Sequence, residues 1–161
     1  MILRHQEHRG RGTRNDRGVN GTHFMTPTTS PYLEQIHELL AERGYEVTEP
    51  ASDRLRIRDV DSGVTLQAVV EGDIIFFSLP CITVAREKVT PEIMAKLLDA
   101  RNGISTSAFR LFEADGKVTI SLNNLCKLQN MSADDEDDVL SCVHFLLVDV
   151  MSARRLIGGL A

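Results

Sequence analysis

The apolar run VLSCVHFLLVDVM, residues 139–151, constrains the fold of this chain more than any other segment. At about 100° per residue, its apolar side chains and those that follow it form two stripes on a helix. The first stripe, which suits a core, consists of Val139, Val143, Leu146, Val150 and Ile157. The second, on the far side, consists of Phe145, Val148 and Leu156. Because a helix on one sheet buries only one stripe, the second predicts contact with neighbouring elements or with another chain.

The same run is too short and too polar for a membrane span. A bilayer crossing needs about 20 consecutive apolar residues, and this run is shorter and contains Asp149. The N-terminus lacks an uninterrupted apolar segment of the signal-peptide type. A length of 161 residues with 42% apolar content predicts one domain with one core. We therefore expect a cytoplasmic protein that makes no contact with a membrane.

Residues 1–25 differ from the rest of the chain in composition and charge. They contain five arginines and several glycines without apolar periodicity, which predicts a disordered arm. An alternative interpretation is that the start is misassigned and that translation begins at Met25. The arm carries a net charge of +3, which leaves −8 on residues 26–161. The acidic domain is therefore a poor surface for a phosphate backbone, and any nucleic-acid binding is expected through the RGRG segment of the arm.

Three helices are predicted from their start and stop signals. Ser30 and Thr90 each precede a proline and an apolar periodic segment, as helix caps do, and Gly44 and Gly103 are typical of the residues that follow a helix. The third helix begins after Ser132, where the run DDEDD, residues 134–138, places negative charge at the positive helix end. That position explains the acidic run without a metal ion.

Five strands are predicted from alternating or continuous apolar segments. RLRIRDV, VTLQAVV and IIFFSL form an antiparallel meander, and AFRLFEADGKVTISL forms a hairpin around Asp115 and Gly116. Ile74 and Phe76 point away from Ile75 and Phe77, so both faces of the third strand are apolar. The expected fold class is α+β: a single domain over residues 26–161 in the order α-β-β-β-α-β-β-α, with helices packed on an antiparallel five-stranded sheet.

The sequence contains no motif of an enzyme or a cofactor-binding protein. It lacks a Gly-x-Ser-x-Gly elbow, a phosphate loop, a His-Glu-x-x-His metal motif and a dinucleotide fingerprint. Cys142 and His144 point about 200° apart on a helix, so they cannot form a nucleophile–base pair. Cys81, Cys126 and Cys142 are odd in number and widely spaced, which favours buried thiols over disulfides or a zinc site. We expect no catalytic residues, no cofactor and no metal.

The element order resembles the class I chaperones of type III secretion and, more specifically, the YbjN-type family. The resemblance lies in IMAKLLDARNGISTSAFRLFEADGKVTISLNNL, followed by an acidic helix start and CVHFLLVDV, and it covers residues 31–157. It implies a non-enzymatic, commonly dimeric protein. The secretion chaperones hold an extended client segment by apolar patches and strand addition, whereas YbjN-type proteins are described as regulators.

Two functions are compatible with these observations. The first is a homodimeric, chaperone-like or regulatory module that binds a segment of a partner protein. The alternative is nucleic-acid binding through the arm, with the acidic domain as a dimerising body. For the first function, the candidate partner or dimer contacts are Ile74, Phe76, Met94, Leu98, Phe145, Val148 and Leu156.

Overall fold

Residues 30–160, which this computed structural model describes, form three helices and one antiparallel sheet. The helices are α1 (Pro31–Glu42), α2 (Pro91–Leu98) and α3 (Ala133–Ile157), with short 3-10 turns at Arg86–Lys88 and Gly158–Leu160. The strands are β1 (Glu46–Ala51), β2 (Arg54–Arg58), β3 (Thr65–Glu71), β4 (Ile74–Ala85), β5 (Ala108–Ala114) and β6 (Lys117–Lys127). The α+β class is confirmed. The predicted arm, residues 1–25, lies outside the described residues.

The sheet has six strands in the order β1-β2-β3-β4-β6-β5, so the prediction of five was wrong. The missed strand is β1, whose sequence EVTEPA lacks apolar alternation and contains a proline. It pairs with β2 through Glu46–Arg58, Val47–Ile57 and Thr48–Arg56, although nearly all of its side chains are exposed. Because β1 is an edge strand that buries almost no apolar surface, periodicity could not identify it.

All strands pair antiparallel, and the connection through α2 determines the strand order. After β4, the chain crosses through α2 and returns as β5 at the far edge, and β6 then inserts between β5 and β4. β4 continues well beyond the predicted IIFFSL, to Ala85, and pairs with β6 along its whole length, with an irregularity between Pro80 and Ile82. β4 therefore joins the meander to the hairpin.

Two of the predicted helix boundaries need correction or refinement. α2 ends at Leu98, well before Gly103, because side chains replace helical hydrogen bonds after this point. The Asn102 Nδ2 donates to the Leu97 carbonyl at 2.7 Å, and the Arg101 amide donates to Asp99 Oδ1 at 2.8 Å. Ser30 precedes α1 as predicted, but its side chain makes no capping hydrogen bond.

The predicted start of α3 is confirmed in detail. The Ser132 Oγ accepts a hydrogen bond from the Asp135 amide at 3.4 Å, and Asp135 Oδ2 accepts one from the Ser132 amide at 3.2 Å. This reciprocal pair is a capping box that satisfies two amides at the helix end. Asp135 also accepts from the Gln129 amide at 2.6 Å and is buried. Part of the acidic run is thus structural.

The helices cover one face of the sheet and leave the other face open. Alternate strand residues, such as Leu55, Ile57, Ile75 and Phe77, point toward α1 and α3 and are fully buried. A second, smaller apolar cluster forms where α2 and the end of α3 cover Val84, Val118 and Ile120. Burying each large apolar side chain contributes about 1.5–3 kcal/mol. No helix within residues 30–160 is long and apolar enough to span a membrane.

Candidate functional site

The open face of the sheet carries an apolar row that crosses four strands. Strand register places Val69 of β3 directly opposite Phe76 of β4, and Phe76 directly opposite Leu125 of β6. Arg54 of β2 lies opposite Val69 at the end of this row. Val69 and Phe76 are half-buried and Leu125 is exposed. Directly opposed side chains in a sheet are about 4.5–5.5 Å apart at Cβ, so these three apolar side chains form one continuous patch.

A polar row runs beside the apolar one. It consists of Arg56, Gln67, Ser78 and Asn123, which are again opposite one another in register, and Ala108 of β5 lies opposite Asn123 at its end. These side chains offer amide, hydroxyl and guanidinium groups, both donors and acceptors, next to an apolar surface. A ligand that lies across the strands would therefore contact a row of apolar side chains and, beside it, a row of hydrogen-bonding groups.

Both rows border a cleft of about 630 Å³. Phe76 and Leu125 line it centrally, Arg54 lines it on β2, and Arg110 and Phe112 line it on β5. A volume in this range, with an apolar floor and a few convergent polar groups, is typical of a binding site.

The charged side chains around the open face are only partly neutralised. Arg54 pairs with Asp53 at 3.3 Å and Arg58 with Glu46 at 2.7 Å. Within residues 30–160, neither Arg56 nor Arg110 has a carboxylate oxygen within 4.0 Å. Because all of these groups are exposed, the existing ion pairs contribute little to stability.

A second apolar surface lies on the outer side of α3. The predicted core stripe of this helix is buried, whereas Phe145, Val148 and Met151 are 36%, 54% and 60% exposed. These three residues lie three apart and share one helix face. In the part of the chain that the structure describes, Phe145 and Val148 of the far stripe are therefore exposed to solvent. Met151 extends this exposed surface by one turn.

The seven predicted contact residues do not form one site. Ile74 and Phe76 lie half-buried on the open face, where Ile74 is opposite Glu71 and Lys127. Leu98, at the end of α2, is 80% exposed, and it lies on the helical side with Phe145 and Val148. Met94 and Leu156 are half-buried against the second apolar cluster, so they belong to the edge of the core.

The sequence did not identify several residues of the cleft as candidate contacts. Val69, Leu125 and Phe112 complete its apolar lining, but each comes from a different strand. Val69 and Phe112 were in predicted strands, whereas Leu125 lies three residues beyond the end of the predicted hairpin. Only the strand order and register place Val69 and Leu125 directly opposite Phe76, and Phe112 on the same face, and neither can be read from periodicity.

The structure explains the presence of Asp149, one of the three polar residues in the apolar run. Its buried carboxylate accepts hydrogen bonds from the Ser105 amide at 3.2 Å, the Ser105 Oγ at 3.3 Å and the Ser107 amide at 3.4 Å. These contacts hold Ser105 and Ser107 against α3. The side chain is structural, and it anchors the segment that leads into β5.

The three cysteines are free thiols in or beside the core. Cys142 on α3 is a neighbour of Cys126 on β6, and the interaction of the two thiols together with burial raises the pKa of the Cys126 thiol. Burial also raises the pKa of Cys81. A raised pKa keeps a thiol protonated and unreactive, so neither Cys81 nor Cys126 resembles an activated nucleophile. Residues 30–160 contain no group of three or more His, Cys, Asp or Glu side chains placed to hold a metal ion.

Comparison with known proteins shows a similarity of fold. The structure is similar to the crystal structure of YbjN from E. coli, described as a candidate transcription regulator, with a TM-score of 0.57 and 15% sequence identity. The similarity covers 76% of this chain and 91% of YbjN. No protein-family model matches the chain, and no curated protein matches it. The protein therefore has a YbjN-type fold, as the sequence resemblance predicted.

Proposed function

We propose that this protein is a non-enzymatic, protein-binding module that holds an extended segment of a partner on the open face of its sheet. The observation that carries this proposal is the row of Val69, Phe76 and Leu125 beneath a cleft of about 630 Å³. Apolar side chains in a concave, polar-rimmed surface are typical of peptide recognition. The three free cysteines are compatible with a reducing compartment, and we propose a cytoplasmic location.

The wider class of the function is chaperone-like or regulatory. The similar structure, YbjN, is described as a candidate transcription regulator, which is compatible with a role that depends on partner binding. We further propose that the protein acts as a homodimer, because exposed apolar side chains occur both on α3 and on β5. Covering such side chains in a subunit contact is favourable and removes a hazard of aggregation.

Binding of short peptides tests this function. Peptides selected on the wild type from a displayed random library are synthesised with a fluorophore and titrated by anisotropy. Phe76→Glu places a charge in the apolar floor, and we expect it to weaken binding at least about tenfold, because it removes the burial of one aromatic side chain. Val148→Glu, on the outer side of α3, is the matched control and is expected to change the affinity by less than about twofold.

Two results contradict this function. Selection that yields no peptide bound by the wild type would remove its basis. Equal loss of affinity in Phe76→Glu and Val148→Glu would place the binding surface elsewhere. Circular dichroism and urea unfolding of both variants establish that each is folded before affinities are compared.

The second candidate function is nucleic-acid binding through the arm. Its support is the net charge of +3 on residues 1–25, with five arginines interspersed with glycines. Such segments bind single strands through phosphate contacts without sequence preference. In this case the acidic domain of residues 26–161 supplies dimerisation and no nucleic-acid surface.

A further inference from the structure

The open face of the sheet has a charge opposite to that of the domain as a whole. Its strand side chains alternate with the buried ones, so the register shows which residues it carries. Six of them are cationic and two are acidic: Arg54, Arg56, Arg58, Arg110, Lys117 and Lys127, against Glu46 and Glu71. Residues 26–161 nevertheless carry −8, so the acidic excess of the domain lies outside this face.

Only half of these cations have a carboxylate partner within residues 30–160. Ion pairs at 2.7–3.3 Å join Arg54 to Asp53, Arg58 to Glu46 and Lys127 to Asp73. In the same part of the chain, Arg56, Arg110 and Lys117 have no carboxylate oxygen within 4.0 Å. Of the two acidic strand side chains on the face, Glu71 lacks a cation at that distance. The charges that remain after pairing therefore leave the face positive.

The unpaired arginines lie on opposite sides of the cleft. Arg56 is the β2 end of the polar row, and Arg110 lines the cleft from β5. β2 and β5 are four strand spacings apart in the sheet, which is about 19 Å. The apolar row of Val69, Phe76 and Leu125 crosses the strands between them. A ligand that matches this arrangement has an apolar middle and an anionic group near each end.

We infer that the partner segment held in the cleft is acidic: an extended peptide with aliphatic or aromatic residues in the middle and Asp or Glu near both ends. The inference deepens the proposed function and rests on it. An extended chain advances about 3.3 Å per residue, so about six residues connect the two sides of the cleft. A guanidinium group binds a carboxylate through two parallel charge-assisted hydrogen bonds, which makes Arg56 and Arg110 suitable contacts for the two ends.

Charge complementarity distinguishes this occupant from two others. The arm of residues 1–25 carries +3, the same sign as the open face, so it is a poor ligand for the cleft. A long nucleic-acid strand has the right sign, but beyond the face it meets the acidic remainder of a domain that carries −8. A short acidic peptide ends within the positive face and avoids this repulsion.

Charge-altered peptides test the inference on the full chain. Each peptide selected on the wild type is synthesised with a fluorophore in two forms, the selected one and an amide form in which Asn and Gln replace Asp and Glu. We expect the selected peptides to be enriched in acidic residues over the unselected library. We also expect the amide forms to bind the wild type at least about tenfold more weakly in anisotropy titrations, because they lose the charge-assisted contacts.

A double charge reversal identifies the groups that read the peptide charge. Arg56→Glu/Arg110→Glu is expected to remove the advantage of the acidic form over the amide form, because like charges then meet. Arg154→Glu/Arg155→Glu, at exposed positions near the end of α3, changes the net charge equally and is the matched control. It should keep the preference for the acidic form. Circular dichroism establishes that both variants are folded before affinities are compared.

Each contrary outcome has a definite meaning. Selected peptides without acidic residues, or amide forms that bind as tightly as the selected ones, overturn the inference and leave the proposed binding function standing. Loss of the acidic preference in the α3 control as well as in Arg56→Glu/Arg110→Glu would overturn the assignment to these two arginines. Single-stranded oligouridylate that binds more tightly than the acidic peptide, and only while Arg56 and Arg110 are present, would assign the face to nucleic acid instead. Selection that yields no peptide contradicts the proposed function itself.

Discussion

Asp149 lies in the most apolar segment of the chain and is nevertheless buried. Its carboxylate accepts hydrogen bonds from the amides of Ser105 and Ser107 and from the Ser105 hydroxyl. A buried carboxylate is tolerated only where such donors replace water. The same contacts join α3 to the segment that leads into β5, so one side chain links the core helix to the sheet edge.

Removing this carboxylate is expected to destabilise the protein. Asp149→Ala leaves two part-buried amides and a hydroxyl without their acceptor, and we expect the free energy of unfolding to fall by about 2–4 kcal/mol. Urea unfolding followed by circular dichroism measures the change. Asp134→Ala, at an exposed position in the first turn of α3, is the control and should cost less than about 1 kcal/mol. Equal losses in the two variants would contradict a structural role for Asp149.

The sequence indicated that Asp149 interrupts an apolar run, but not what it binds. Its partners precede it by more than forty residues, and no periodic signal connects a loop serine to a helix carboxylate. By contrast, the contact between Ser132 and Asp135 was foreseeable, because a capping box depends on a spacing of three residues along the chain. Local hydrogen bonds can be predicted from sequence, and long-range ones need the topology.

At the scale of elements, α1 and α3 start in different ways. Ser132 makes a capping hydrogen bond at the start of α3, whereas the Ser30 side chain makes none at the start of α1. Pro31 supplies the fixed backbone geometry at the first position of α1, so this helix start depends less on its serine.

This difference predicts unequal effects of the same substitution. Ser132→Ala is expected to lower the free energy of unfolding by about 1 kcal/mol, because it leaves the Asp135 amide without its acceptor. Ser30→Ala is expected to change it by less than about 0.5 kcal/mol. Thermal or urea unfolding of both variants gives the comparison, and a larger loss in Ser30→Ala would contradict the contacts described at both helix starts.

The strands show where sequence patterns succeed and where they fail. The hairpin of β5 and β6 and the three strands from β2 to β4 were predicted from alternation and turn residues, because each buries one face on the helices. β1 was missed because its pairing depends on the backbone and on Glu46, with almost no apolar burial.

At the scale of the whole molecule, charge separates the two candidate functions. The arm is positive and residues 26–161 carry −8. If the arm binds single-stranded RNA, affinity measured by anisotropy on the full chain should fall steeply with salt, and a chain of residues 25–161 should not bind. Salt-independent binding, or binding that survives loss of residues 1–24, would contradict this second function.

The long strand β4 has a consequence for the order of events during synthesis. Its partner on one side, β3, precedes it in the chain, but its partner on the other side, β6, follows after the whole of α2 and β5. While the ribosome is still making residues 86–116, the nascent meander therefore presents IIFFSLPCITVA as an open edge without α3 to cover its inner face. Folding can close this edge only after residue 127 has emerged. The nascent chain is thus most exposed to aggregation, and most dependent on general chaperones, late in its translation.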